Sequence, residues 1–229
     1  MIGRRLIVLL RRAGHEVTGS TRSADKAPQL EASGVRPAIV DVFDAGALER
    51  AVAAAEPEGI IHQLTDLPHE PDRALIAAAA ARNARLRIEG TRNLIDAALH
   101  ADVRRVVAQS IAFVYAPRPE PHGEADPLDE TGPQETTVRG VLKLEQLVTR
   151  TAGIEGIVLR YGYFYGPGTW NARPPGRTSV HVDAAAKAAE LAVTHGVTGI
   201  YNVAEDDGSV RIDKARRELG WNPEFRLQA

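Results

Sequence analysis

Over its first two-thirds the chain alternates helix-like and strand-like segments at short spacing, a rhythm that a parallel sheet covered by helices accommodates. Leu6, Ile7, Leu9 and Leu10 put an apolar stripe on an opening helix that Gly14 can close as a left-handed cap, and His15–Gly19 then reads as a strand. A weak helix around Asp25–Ala32 leads into a strand Pro37–Val42, and helix Ala45–Ala55 into a strand Gly59–Leu64. A long Ala-rich helix of about Asp72–Leu99 precedes a strand Arg105–Ala108. After a Pro-rich loop, Pro117–Pro133, helix Thr137–Thr149 feeds strand Gly156–Arg160. Beyond Gly166 the pattern changes to a Gly/Pro/Arg-rich piece, Pro167–Arg177, a helix near Val182–Ala192, a strand Gly199–Val203 and a short helix Ile212–Leu219 stopped by Gly220.

Composition narrows the chemistry. Among 229 residues there is no Cys, which removes disulfides, thiolate metal sites and cysteine nucleophiles together. That fits a reducing compartment, and a cytoplasmic location is expected. No stretch approaches the ~18 consecutive apolar residues of a membrane span, so no membrane is expected as a partner. The 28 basic and 30 acidic residues form no block of one sign, which argues against a nucleic-acid partner. The histidines lack ligand spacing, so no metal is expected, and His62 and His181 read as hydrogen-bonded core residues. No Gly-x-Ser-x-Gly elbow supports a serine hydrolase.

A doubly wound nucleotide-binding fold opens with a central strand and a Gly-rich turn whose N–H groups meet a pyrophosphate. This sequence starts at the helix, with Gly3 in the place of the turn's last glycine. The first strand and the rest of the turn are absent from it. The expectation is that the reading frame continues upstream with a hydrophobic strand and two further glycines. Without that strand, Pro37–Val42 and Gly59–Leu64 are expected either to close up on each other or to recruit a strand from a partner chain.

The segments Ile2–Arg22, Ile60–Thr65, Asn93–Ala98, Arg104–Tyr115, Leu159–Gly168, Val180–Ala186, Tyr201–Val203 and Glu218–Pro223 follow one another in the order seen in extended short-chain dehydrogenases/reductases. The chain resembles the NAD-dependent epimerase/dehydratase family from Ile2 to about Pro223. The resemblance implies an α/β fold, a Rossmann-like doubly wound parallel sheet. Residues 1–165 would form an N-terminally incomplete cofactor-binding unit and 166–229 a shortened substrate region. The links Thr169–Ser179 and Ala204–Arg211 are too short for a sugar-nucleotide lid of the usual size.

Carried over by resemblance, the cofactor residues are Gly3, Thr21, Arg22, Asp41, Val42, Leu64, Thr65 and Tyr161. Arg22 stands where the family chooses its cofactor: a carboxylate there would bind a ribose hydroxyl, whereas Arg offers a fork of donors to a 2′-phosphate. NADP(H) is therefore expected ahead of NAD(H). Asp41 doubles as a turn cap.

The catalytic half departs from the pattern. In the family a Tyr and a Lys four residues later share a helix face; the Lys helps lower the phenol pKa and the Tyr passes a proton to or from a substrate oxygen. Here those positions hold Thr137 and Val141 in one register; in the other, Arg139 replaces the Tyr and Lys143 is kept. The first is preferred because it aligns the following helix and strand without a gap. The hydroxyl expected four residues before Tyr115 is replaced by Ile111, with Ser110 one position off. The catalytic candidates left are Ser110, Tyr115, Lys143 and Tyr163, with Arg160 secondary. Tyr161, Tyr163 and Tyr165 would share one face of an extended segment lining the cleft. Two functions stay open: an oxidoreductase, epimerase or dehydratase acting on a carbonyl- or hydroxyl-bearing small molecule, sugar nucleotides included, or a catalytically silent binding protein. The partner expected is a small-molecule substrate, with a homodimer as an open alternative to a monomer.

Overall fold

The structure is a computed structural model that describes residues 2–68 and 70–228; Met1, at the tip of the expected turn, lies outside the described residues. Helix α1 (Ile2–Arg12) buries Ile2, Leu6, Leu9 and Leu10, and the expected cap follows at Gly14, whose φ is 88°. Leaving the helix uses residues that were expected in the strand: His15 N–H donates to Leu10 O at 3.0 Å, so β1 begins only at Thr18 (Thr18–Thr21). Then come α2 (Ala27–Ala32), β2 (Arg36–Ile39), α3 (Ala45–Ala55) and β3 (Gly59–His62). Strand β3 stops two residues early because the Leu64 N–H turns back onto His62 Nδ1 at 3.2 Å.

The long helix is interrupted. Helix α4 (Arg73–Arg85) passes through a π-helical turn, Leu86–Gly90, into α5 (Thr91–His100). Gly90 in that turn lies against Val42, where an added Cβ would come within 3.1 Å of a methyl group. Next are β4 (Arg105–Ile111), α6 (Glu135–Arg150), β5 (Glu155–Tyr161), β6 (Tyr163–Tyr165), β7 (Ser179–His181), α7 (Val182–Leu191), β8 (Gly199–Val203) and α8 (Asp213–Leu219). The β6–β7 pair, parallel and in register Tyr163 to Ser179, has no counterpart among the strands expected from the sequence.

Strands β3, β4, β5 and β8 form a four-stranded parallel sheet in that order, so β8 extends the sheet beside β5. Strands β1 and β2 form a separate two-stranded parallel sheet. The expected closure of Pro37–Val42 onto Gly59–Leu64 does not occur. Packing explains why: Val40, Val42, Leu48 and Val52 cluster with Leu94 and Ala97, so the β2 to α3 segment is fixed onto α5 instead of sliding against β3. On one face of the larger sheet, Val107, Ile157, Leu159 and Tyr161 pack on α1, α7 and α8; on the other, Val106, Ala108 and Val158 pack with Ile95, Leu144 and Val148 of α5 and α6. Among the described residues no helix is long and apolar enough to cross a membrane.

Candidate functional site

Ligands of open parallel sheets bind beyond the carboxyl ends of the strands. Strand alternation decides which side chains reach each side of that edge. On the α5 and α6 side stand His62, Ser110 and Arg160, and α6 adds Glu145. Glu145 takes a bidentate grip from Arg160, with Nε to Oε1 at 2.8 Å and Nη2 to Oε2 at 2.6 Å, and its Oε1 also accepts from Ser110 Oγ at 2.8 Å. Arg160 Nη1 donates to Tyr115 Oη at 2.9 Å, and Tyr115 donates to Asn202 Oδ1 at 2.6 Å. Burial works against the Arg160 charge, but the hydrogen bonds and charge of Glu145 outweigh it and push its pKa up. Burial raises the Tyr115 phenol despite Arg160 beside it.

His62 is buried, with Nε2 at 3.0 Å from Thr91 Oγ1. Because Nδ1 accepts the Leu64 N–H, the ring proton belongs on Nε2, and the neutral tautomer satisfies both bonds. Burial, reinforced by the charge of Arg87, lowers its pKa to about 4.

On the α1 and α7 side, both amide atoms of Gln63, the Gln109 Oε1 and the Tyr161 hydroxyl are buried without a hydrogen-bond partner among the described residues. Burial raises the phenol's pKa strongly, and the Gln63 side chain it lies against pulls the other way. Unmade hydrogen bonds of buried groups are costly, so these atoms are where a bound polar group gains most.

The residues expected at the adenosine end lie where β1, β2 and β3 finish. Thr21 Oγ1 accepts the Ser23 N–H at 3.2 Å. The Arg22 side chain is 58% exposed and its Nη2 is 4.0 Å from Asp66, a carboxylate that Arg82 holds at 3.0 Å. Asp41 is exposed and caps its own turn, accepting the Phe43 N–H at 3.0 Å. Val42 is buried beside Leu64, its carbonyl accepting from Asn93 at 2.9 Å, while Thr65 is exposed.

Several expected roles need correction. Lys143 does not reach this cluster: the inward face of α6 is taken by Val138, Val141, Leu144 and Val148, so Lys143 points outward and bonds Gln146 at 3.4 Å. On the same helix Val141 is buried and Thr137 half-buried. Ser110 and Tyr115 are committed to the Glu145 and Arg160 network rather than free for proton transfer. The three phenols of the Tyr161–Tyr165 segment do not line one face, because β5 ends at Tyr161 and β6 starts a new pairing. Tyr161 is sealed in the core, Tyr163 is 41% exposed and stacks on Phe113 at 3.9 Å, and Tyr165 bonds Glu205. At Gly3 an added Cβ meets nothing within 4 Å, so close packing does not demand a glycine there.

Gln63, Gln109 and Arg87 were missed. Only Arg87 has a pattern around it: Asn83, Arg87 and Thr91 repeat at helical spacing through the stripe of Ala79, Ala84, Leu86 and Leu94, which marks a polar line on the helix without showing that Arg87 lacks a partner.

Known proteins match this arrangement. A family model, the NAD dependent epimerase/dehydratase family, matches residues 1–201. A 3-diazoavenalumate denitrifying reductase from Streptomyces sp. is 40% identical over 230 residues, covering 90% of this chain and 73% of the reductase. Among solved structures, the UDP-glucose 4-epimerase of Thermotoga maritima with UDP-glucose superposes with a TM-score of 0.76 at 18% identity, covering 99% of this chain and 91% of that one. The UDP-glucose 4-epimerase of Thermus thermophilus in complex with NAD gives 0.70 at 20% identity, covering 99% and 92%. The two epimerases share the fold; the family model and the reductase go further, and the chain belongs to the NAD dependent epimerase/dehydratase family.

Proposed function

We propose that this chain is an NADP(H)-dependent reductase that removes the nitrogen of a diazo group, the reaction for which its 40% identical relative is named, rather than an epimerase of sugar nucleotides. The observation that carries the reading is that α6 has half-buried Thr137 and buried Val141 at the positions where, in the preferred register, the family would carry a proton-donating phenol and its lysine. A carbonyl accepting a hydride develops an oxyanion and needs a proton from a positioned acid. A diazo group is already an electrophile at its terminal nitrogen and leaves as N2, so its reduction places no such demand on α6.

The residues present fit a nicotinamide dinucleotide. The unpartnered atoms of Gln63, Gln109 and Tyr161 offer donors and acceptors at the carboxyl edge of the sheet. Thr21, Arg22 and Asp41 would hold the adenosine end, with the backbone of Leu64 and Thr65 beside it. The cofactor, when bound in reduced form, supplies a hydride. Arg22 is only loosely tied to an Asp66 that Arg82 already neutralises, so its guanidinium is available to a 2′-phosphate. Arg22→Ala is expected to weaken NADPH binding about tenfold or more, the scale of one charge-assisted hydrogen bond, and to leave NADH binding unchanged. Calorimetry with both cofactors checks it; equal losses, or tighter NADH binding by the unaltered protein, would count against the assignment.

The activity itself is tested by mixing the protein with NADPH and an ortho-hydroxyarenediazonium salt carrying 15N at both positions, then following labelled N2 by headspace mass spectrometry. Enzyme-dependent release with matching NADPH consumption is expected, and no conversion of UDP-glucose. Epimerisation of UDP-glucose faster than N2 release, or cofactor binding with neither reaction, would overturn the proposal.

A further inference from the structure

Arg87 sits in the π-helical turn Leu86–Gly90, a local widening of the kind that recurs at functional sites. It is half-buried, yet among the described residues it donates no hydrogen bond and forms no ion pair. Its electrostatic neighbours cannot serve it. Glu145, whose charge it feels, has both oxygens gripped by Arg160 and one also by Ser110. His62, which feels the Arg87 charge, is held neutral by its two hydrogen bonds and by burial. Arg160, the other guanidinium of the cluster, is spent on Glu145 and Tyr115. Burial without a partner lowers the Arg87 pKa to about 10, with Glu145 pulling the other way. A half-buried cation whose charge reaches a neutral imidazole and a spent carboxylate, and which no hydrogen bond or ion pair among the described residues engages, lacks an anion, and a planar fork of donors suits an oxyanion better than any other ligand.

We infer that the Arg87 guanidinium receives an anionic oxygen of the substrate, and that this is the oxygen on the carbon next to the diazo carbon; the assignment rests on the reductase reading above. The chemistry favours that oxygen over a remote carboxylate. A diazo carbon beside an oxygen-bearing carbon has two resonance forms, a neutral ketone with C=N2 and an oxyanion with a diazonium. A cation at the oxygen favours the second, in which the terminal nitrogen accepts a hydride best. Hydride supplied by a bound reduced nicotinamide would form the new N–H bond. The C–N bond then breaks with its electron pair left on carbon, N2 departs, and the proton passes from nitrogen to that carbon. The oxygen ends as a phenolate on the same guanidinium, so charge and atoms balance. Arg87 thereby selects ortho-oxygenated arene diazo compounds.

The test uses an unreactive probe as well as turnover. For 2-nitrophenol, whose ionisation is read by visible absorbance, binding to the unaltered protein with NADP+ is expected to lower the phenol pKa by about one unit or more. Arg87→Gln should abolish that shift and Arg87→Lys should keep part of it. The Gln variant should melt no lower than the parent, because it removes a charge that has no partner. 3-Nitrobenzoate, which has the carboxylate and lacks the phenol, should bind the parent and Arg87→Gln alike. With diazo substrates, Arg87→Gln should lose on the order of 10²-fold in kcat/KM for the ortho-hydroxy compound and far less for one lacking that oxygen. A probe pKa indifferent to Arg87, or an Arg87-dependent affinity for 3-nitrobenzoate alone, would overturn the assignment while N2 release still upheld the reductase. An Arg87-dependent probe shift with no N2 release would uphold the oxyanion site while the reductase reading failed.

Discussion

Replacing Glu145 by alanine is expected to destabilise the protein by about 3–5 kcal/mol, the usual cost of removing one partner from a buried ion pair. Arg160 is 3% exposed and would keep its charge, because Tyr115 and the Glu124 carbonyl offer it only neutral acceptors. Ser110, fully buried, would lose its acceptor as well. For a chain of this length the loss corresponds to a fall in melting temperature of roughly 10 °C. The double variant Glu145→Leu with Arg160→Met should recover most of it, since no unpaired charge is then left inside. Thermal or urea unfolding of the three proteins checks both statements. A single variant within about 1 kcal/mol of the parent would show that the pair is solvated and that the cluster at the strand ends is looser than its distances suggest.

That network also shows how much of the molecule could be read from its residues. The alternation of periodicities located the helices and the four strands of the larger sheet, because apolar runs such as those in β4 and β5 are long enough to fix both type and neighbour. The ends were less legible. Where β1 starts depends on how His15 closes the α1 cap, and where β3 stops depends on the ring of His62, which are tertiary and tautomeric facts. The π-helical turn leaves no local signature beyond Gly90, whose need is set by Val42, 48 residues earlier in the chain. The β6–β7 pair is three residues on each side, short of any detectable alternation. For the site, the placing of Thr137 and Val141 rests on aligning Glu145 within α6, and the structure adds that Val138, Val141, Leu144 and Glu145 are the buried side of that helix. Gln63, Gln109 and Arg87 were not, because a polar residue in an apolar stripe reads as an ordinary exception until its lack of a partner is seen in three dimensions.

Turnover of ordinary ketones, alcohols and sugar nucleotides with NADPH or NADP+ is expected to lie on the order of 10²–10⁴ below that of a family member with a complete Tyr and Lys pair, the usual worth of a positioned general acid. Tyr115, Tyr161, Tyr163 and Tyr165 are not set up to take over that work. Tyr115 is locked between Arg160 and Asn202 with its pKa raised by burial; Tyr161 is sealed, its pKa pushed up by burial; and Tyr165, also raised by burial and by its bond to Glu205, stands at about 12. Tyr163 is accessible, but burial of its ring moves its pKa upward too, and a phenol that is weaker as an acid than in water gains nothing from proximity. Any residual ketone reduction should therefore survive Tyr163→Phe and Tyr165→Phe unchanged, because neither is passing a proton. Diazo reduction should be equally indifferent to Tyr163→Phe and Tyr165→Phe, while Tyr161→Phe is expected to weaken cofactor binding in both reactions without removing a proton donor, since its hydroxyl lies against Gln63 in the half proposed to hold the cofactor. A substrate screen with the parent and the three variants decides it. Brisk ketone turnover that collapses in one of the phenylalanine variants would identify that phenol as a working acid, and the reason for preferring a diazo substrate would fall with it.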